Sequence, residues 1–584
     1  MVHRPLFVLA LCAAFTVPAA AQAQRQPLSD ADITDIAVLL KLEDTRQLDE
    51  AALARMLRST HPEVRRRAAV SIGRINNPGG AALLEAARGD RDVEVEASIA
   101  FATGQLKLGA AVPWLDGLLS SPRTPPAVSR EAAQALGKIL TPGARAALAK
   151  YLTAATYSKE SATTIGEALL SLGRFTDKGD IAPIVKWSTV DDEGVRWRAA
   201  WALFRPRDSA AAPHLLKLID DASAEVRYWA ARGVSPAVVE GAGLDRAQVT
   251  ARLNALVARD PDRRVRTEAL RTLLQYDNEN AFGALVNALY SADSWIAGSA
   301  AEAAGRFAHR AQVLAPLLVD VAEPKDPLAV RISVLPALVA LAPDGKQTLA
   351  LAVALAQSEV SAAWPAGVRA LGNLGDAGRA ILDQMAAHPA MAGRVPQPLQ
   401  PGGRGRGGAR GAGEAGRGRA AQPPAPARPD AEYRALVERW IVPAYNGAPA
   451  PRAIWETPRG EIEIELYPGD APFGVEHFIR VVESGDIVGT EFTRVVPNFV
   501  AQQQAIRGAM RLRDEVSRRG LTRANLSWAS AGLDTGRPGY TLGHTAQPHN
   551  EGGFTALGRV VRGMEVVDRL ELGDRIVSAR MVTK

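Results

Sequence analysis

A ten-residue phrase, Val-Arg-x-x-Ala-x-x-x-hydrophobic-Gly, recurs through the first two thirds of this 584-residue chain. Its Val-Arg start is found at Val64-Arg65, Val195-Arg196, Val226-Arg227, Val265-Arg266 and Val330-Arg331, looser starts at Val95, Val128, Thr164, Ile296 and Ala363, and its closing glycine at Gly73, Gly104, Gly137, Gly173, Gly305 and Gly372. Successive anchors are 31, 33, 36, 31, 31, 39, 31, 34 and 33 residues apart. A near-constant step of this size marks a solenoid, with one supersecondary unit per repeat. Alanine and leucine recur at helical spacing and strand-type alternation is absent, so the unit is a pair of helices. Turn-like clusters such as Asp260-Pro261-Asp262 and Asp326-Pro327 supply the helix starts. One pair cannot bury its apolar face alone; stacked neighbours make a continuous core. The phrase therefore predicts an all-α array over residues 30–390.

The pattern resembles HEAT-like repeats. The resemblance implies that each valine is a core anchor and that each arginine bonds the acidic turn of the neighbouring repeat. A phosphate-binding role for these arginines is the rival reading, but their fixed position in the repeat favours a structural ladder. Tryptophans 187, 197, 201, 229, 295 and 364 fill gaps between repeats, or Trp197, Trp201 and Trp229 form an aromatic ledge for a partner. A long curved surface of this kind binds other proteins or acts as a spacer, and fold alone does not decide between them.

At the amino end, Arg4 precedes the apolar run Leu6–Val17 and the triplet Ala21-Gln22-Ala23, the layout of a secretory signal. The run is too short to cross a bilayer, so residues 1–23 are expected to be removed near Ala23 and the protein exported, to the periplasm. The single cysteine, Cys12, lies in that run after Leu11, where a lipoprotein signal needs a small residue, so lipid anchoring is the lesser reading. The mature chain then has no thiol and no transmembrane segment, which excludes a disulfide framework, a thiolate nucleophile and cysteine metal ligands. The net charge of +6 traces to Arg4 and to residues 401–429, which hold six arginines and one glutamate. No basic face remains, and no specific nucleic-acid partner is expected. Residues 395–429, rich in glycine, arginine and proline, predict a disordered tether without the aromatics that nucleic-acid-binding tracts interleave. A lead-in helix follows within 430–450, with Tyr433, Leu436, Trp440 and Ile441 docking it on the next domain.

Residues 452–584 carry motifs in a fixed order: Gly460–Tyr467 (GEIEIELY), Ala471-Pro472, Val475–Phe478 (VEHF), Glu491–Gln503 (EFTRVVPNFVAQQ), Leu526–Gly532 (LSWASAG), Asp534-Thr535 and Leu557–Val560 (LGRV). Their order and spacing resemble the cyclophilin-type peptidyl-prolyl isomerases. The resemblance implies a multidomain chain, an all-α HEAT-like solenoid followed by a cyclophilin-like closed β-barrel with flanking helices. It implies Arg494 as the essential guanidinium, Phe499 and Val500 as the lining of a proline pocket, and Gln502 as a holder of the substrate backbone or of Arg494. Trp528, Thr541, Asn550 and Phe554 fall at further pocket positions of the family.

Several of these positions depart from the family pattern. Gln503-Gln504-Ala505 replaces a glycine turn, Gly539 a substrate-binding glutamine, Thr541 a phenylalanine on the pocket floor, Asn550 a leucine, Phe554 a histidine or tyrosine, and Trp528 a smaller residue. Polar groups in an apolar pocket weaken it by a few kcal/mol. Six arginines in 507–523 are read as a groove edge or a solvated segment, and His544 and His549 lack an evident third ligand for a metal. No cofactor or metal is expected. Two functions follow: an exported isomerase acting on proline-containing segments of client proteins that the HEAT-like surface positions, or a non-catalytic scaffold with a degenerate peptide-binding domain.

Overall fold

A computed structural model describes residues 26–395, 428–506, 512–530 and 532–582. The signal-like segment 1–23 and nearly all of the 395–429 tether lie outside the described residues.

Each repeat phrase forms an inner helix of the array, as in Pro62–Ile75, Val93–Gln105, Pro126–Ile139, Ala162–Leu172, Glu193–Phe204, Ala224–Gly233 and Arg263–Leu273. Aspartates in the preceding turns cap several of them: Asp92 accepts from the amides of Glu94 and Val95, Asp192 from Val195 and Asp262 from Arg264. The valine anchors 64, 95, 128, 195, 226 and 265 are at most 2% exposed. The arginine after them forms the expected ladder. Arg65 pairs with Asp90 at 2.7 Å, Arg196 with Asp221 at 2.8 Å and Arg227 with Asp260 at 2.7 Å, each reaching the turn before the next inner helix. The glycine that ends the phrase is needed for contact between helices. A Cβ on Gly104 would stand 2.6 Å from the Cα of Ala135, and one on Gly137 2.7 Å from the Cα of Ser171. Trp187, Trp201 and Trp229 are buried in the core of the array, so Trp201 and Trp229 are filling rather than ledge, while Trp295 is buried against the carboxyl-terminal domain.

The carboxyl-terminal part is an antiparallel sheet of β1 (Arg452–Thr457), β2 (Gly460–Leu466), β3 (Phe492–Val496), β4 (Val500–Gln503), β5 (Asn525–Ala529), β6 (Arg537–Gly543), β7 (Gly558–Arg562) and β8 (Ser578–Met581). Their order is β3-β4-β6-β5-β7-β2-β1-β8. The ladder is a half-barrel with β3 and β8 at its edges, rather than the closed barrel expected. At one corner the chain before each edge strand joins the other: Phe492 N–H donates to the Asp574 carbonyl at 2.8 Å and Ile576 N–H to Thr490 at 3.0 Å. The helix Pro472–Glu483 seals the sheet over a core of Trp455, Phe478, Phe492, Trp528, Tyr540 and Leu542.

The lead-in helix Asp430–Leu436 and the turns after it do not dock on the sheet alone. Tyr433, Leu436 and Ile441 share an apolar cluster with Ile36, Leu40 and Leu53 of the array and with Phe473. The Tyr433 hydroxyl donates to Asp44 at 2.9 Å, while Trp440 Nε1 donates to Glu476 of the sheet-covering helix at 2.6 Å. The lead-in is a wedge between the two halves.

The sheet domain sits against the inner helices. Arg46 pairs with Asp534 at 2.5 Å, and Arg74 donates to the carbonyls of Asp470 and Val516 at 2.6 and 2.9 Å. Val70, Phe101 and Val516 form an apolar contact beside them. Farther along, Arg174 meets Glu551 at 3.0 Å, Trp295 packs on His544 with ring centroids 4.7 Å apart, and Ser361 donates to Glu491 at 2.8 Å. The array thus holds its own carboxyl-terminal domain from one end to the other.

Candidate functional site

Strand register decides which motif residues share a face, because cross-strand partners point the same way and neighbours along a strand alternate. Arg494 pairs with Gln502, Gln502 with Thr541, and Thr541 with Ser527, so one row crosses β3, β4, β6 and β5. Val500 lies two residues from Gln502, on the same face. The next row, Gln503, Tyr540 and Trp528, turns into the core and is at most 1% exposed.

On the row's face, Arg494 is exposed and its Nη1 donates to Gln502 Oε1 at 3.4 Å. Its guanidinium lies 5.3 Å from the centroid of the Phe499 ring. Although the side chain reaches solvent, its neighbours partly desolvate the guanidinium and hold its pKa below the usual arginine value. Phe499 follows the β3–β4 turn, where Asn498 adopts φ 62°, a left-handed conformation that asparagine tolerates. The turn is clamped from outside. Asn498 Nδ2 donates to the Arg264 carbonyl at 2.9 Å, and Arg271 donates to the Pro497 carbonyl at 3.0 Å. The array therefore fixes the loop that carries Phe499.

Thr541 spends its hydroxyl on Ser527, 2.7 Å away, giving the row a polar end. Asn550 and Phe554 are half-buried in the segment after β6, and the Asn550 amide donates to Gln547 Oε1 at 2.8 Å. Gln547 in turn donates to the Phe499 carbonyl at 3.2 Å. Gly539 has a packing reason: a Cβ there would meet the Gln503 carbonyl oxygen at 2.9 Å.

Trp528 is corrected. It belongs to the core row, packs over Gly474 and Gly536, and its Nε1 donates to Asp514 at 3.1 Å, so it lines no substrate groove. The arginines of 507–523 within the described residues do not form a free groove edge either. Arg513 and Arg518 reach Asp44 and Glu94 of the array, Arg519 pairs with Asp470, and Arg523 with Asp568.

His549 is the residue the motif reading missed. Its ring stacks on Phe499 with centroids 6.4 Å apart and planes at 24°. Burial, and then Arg205, Arg232 and Arg174 of the array, push its pKa down to about 4, so it is neutral at ordinary pH. Its aromatic character was the signal available in the sequence. The assembled surface is a guanidinium over an aromatic ring, an amide steadying the guanidinium, and a second ring extending the apolar floor. A cavity of about 1300 Å³ lies elsewhere, between the first repeats, the lead-in and Tyr467, and none of these groups lines it.

Residues 453–583 match the family described as cyclophilin type peptidyl-prolyl cis-trans isomerase/CLD, and residues 80–164 and 152–235 match HEAT repeats. The chain is similar to a peptidyl-prolyl cis-trans isomerase of Synechococcus elongatus, 32% identical over 140 residues, which are 23% of this chain and 97% of the relative. It is similar to peptidyl-prolyl cis-trans isomerase B of Bacillus subtilis at 33% over 129 residues, 21% of this chain and 90% of the relative. A Helicobacter pylori peptidyl-prolyl cis-trans isomerase is 33% identical over 133 residues, 21% of this chain and 82% of that protein.

Proposed function

Since the chain belongs, through residues 453–583, to the cyclophilin type peptidyl-prolyl cis-trans isomerases, we propose that it is an exported catalyst of X-Pro rotation in which Arg494 supplies the decisive charge. Resonance sets a barrier of about 18–20 kcal/mol to turning the bond. Twisting returns the lone pair to the prolyl nitrogen, and a guanidinium aimed there favours the twisted state without a nucleophile or proton relay. Gln502 fixes the direction of the Arg494 fork. Phe499, Val500 and His549 offer the apolar floor for the ring. Partial desolvation of Arg494 strengthens its field at the nitrogen.

The observation that carries this reading is the Arg494–Gln502–Phe499 arrangement on one open face. We assign the array the task of presenting clients to that face. Its inner helix ends hold the isomerase domain, and the helices Glu193–Phe204, Ala224–Gly233 and Arg263–Leu273 border the groove that a client must enter. The Thr541–Ser527 hydroxyl pair favours a second reading, peptide binding without turnover.

One experiment separates the two: isomerisation of a chromogenic X-Pro peptide by the full chain and by Arg494→Ala. Turnover that falls at least about 100-fold in the variant is expected. Background rates for both, with peptide still bound, would leave the scaffold reading. Export predicts that protein recovered from the periplasm begins after Ala23; a full-length chain confined to the cytoplasm would refute it.

A further inference from the structure

The residue that follows the last position of the repeat phrase, a glycine in the first four repeats and Phe204 in the fifth, occupies one structural position, at the end of each inner helix. Five consecutive repeats place Arg74, Gln105, Lys138, Arg174 and Arg205 there, at steps of 31, 33, 36 and 31 residues. The first four touch the isomerase domain. Arg74 holds the carbonyls of Asp470 and Val516, and Gln105 donates to the Gly552 carbonyl at 3.1 Å. Lys138 crowds Gly552, where a Cβ would stand 2.9 Å from its Cε, and Arg174 pairs with Glu551. The second, third and fourth rungs thus meet residues 551–552, close in sequence to His549 of the groove.

Arg205 is the fifth rung, and it is different. Its half-buried guanidinium lies 5.4 Å from the centroid of the Trp201 ring and has no hydrogen-bond or ion-pair partner among the described residues. The charges acting on it are those of Arg232, Arg174 and Arg207, all of its own sign. No carboxylate is among them; Arg174 and Arg232 have their own, Glu551 and, at 3.6 Å, Glu268. A partly buried guanidinium among like charges is unfavourable unless an anion joins it. Arg205 also acts electrostatically on His549, which stacks on Phe499, which lies under Arg494.

We infer that Arg205, flanked by Arg232, is a specificity residue that receives an aspartate or glutamate side chain of the client, within about four residues of the proline bound at Phe499. The inference rests on the groove being the peptide site proposed above. A carboxylate there would complete the row that four rungs complete with groups of the chain itself. It would make a charge-assisted fork with a guanidinium already held over Trp201.

The test uses the full chain and matched X-Pro peptides carrying Glu or Gln at the second to fourth position on either side of the proline. Affinity is read by fluorescence anisotropy and turnover separately. At least one Glu peptide is expected to bind about tenfold or more tighter than its Gln partner, with the gain in KM rather than kcat. Arg205→Gln is expected to reduce the Glu/Gln ratio to near one, and Arg205→Lys to keep part of it. The Gln peptide in the same variants controls for folding. Equal affinity for every Glu/Gln pair, or a preference that survives Arg205→Gln, overturns the inference. Loss of turnover with the affinity ratio intact would refute catalysis and leave the acidic preference standing.

Discussion

Arg74 is the point at which the two halves of the chain are most dependent on one side chain, and replacing it with methionine gives the sharpest test of their docking. Its side chain is 4% exposed and pairs with Glu43, 6% exposed, at 2.8 Å. The same guanidinium holds the carbonyls of Asp470 and Val516 on the other domain. Methionine keeps much of the stem but strands Glu43, whose remaining polar contact is the Ser71 hydroxyl at 2.6 Å. Breaking a buried pair from one side costs about 3–5 kcal/mol. At 1.4 kcal/mol per factor of ten, local opening of the interface becomes about two to three and a half orders of magnitude more frequent. The amides of Phe473 and Gly474 report it, because they donate to Glu515 at 3.1 and 2.8 Å beneath the interface. Hydrogen exchange at those two amides should accelerate by that factor in Arg74→Met. It should recover partly in Arg74→Met with Glu43→Gln, which removes the stranded charge. Exchange within about threefold of the parent in the single variant would refute the reasoning.

Burial pushes the Glu515 carboxyl up to about 8 from 4.5, against the lowering effect of Arg74. The folded chain then keeps a proton that the unfolded chain releases, so this stabilisation is full below 4.5 and lost as pH rises through about 8. Glu515→Gln should flatten the fall in urea midpoint across that window; an unchanged slope counts against it. Trp528→Phe should lower stability by about 1–3 kcal/mol through the lost bond to buried Asp514, with no change in peptide KM. A raised KM would return Trp528 to the groove. Arg227→Ala leaves Asp260 unpaired at 2% side-chain exposure, and should destabilise the middle repeats by about 3 kcal/mol or more, read as faster proteolysis around residue 260. Cleavage at the parent rate would deny the ladder its role.

The array was legible because its constraints are local and repeated. A valine that must be buried, a glycine that must let the next helix approach and an aspartate that must cap all recur at one spacing, so each copy tests the others. The candidate site was legible through a motif whose residues are close in sequence, Arg494, Phe499 and Gln502. Trp528 was misplaced because its face depends on strand parity. It neighbours Ser527, which shares the groove row, and only the register with β6 reveals the alternation. His549 was missed because its partner Phe499 lies on another element. The docking was illegible for a different reason. Arg74, Arg174 and Arg518 look like any charges on a solvated helix or loop, and their partners lie hundreds of residues away. The sequence reading of the recurrent arginines captured contacts within the array and had no means to see those across it.

A solenoid ordinarily tolerates gain or loss of repeats, since each unit meets only its neighbours. Here the sheet domain touches Arg46 near the start of the array and Ser361 near its end, so it acts as a gauge of fixed width. Deleting or inserting one unit would leave every remaining helix pair with its proper neighbours, yet move one jaw of the arch away from the domain between them. Repeat number, free in most such arrays, is set in this protein by the breadth of the enzyme it encloses.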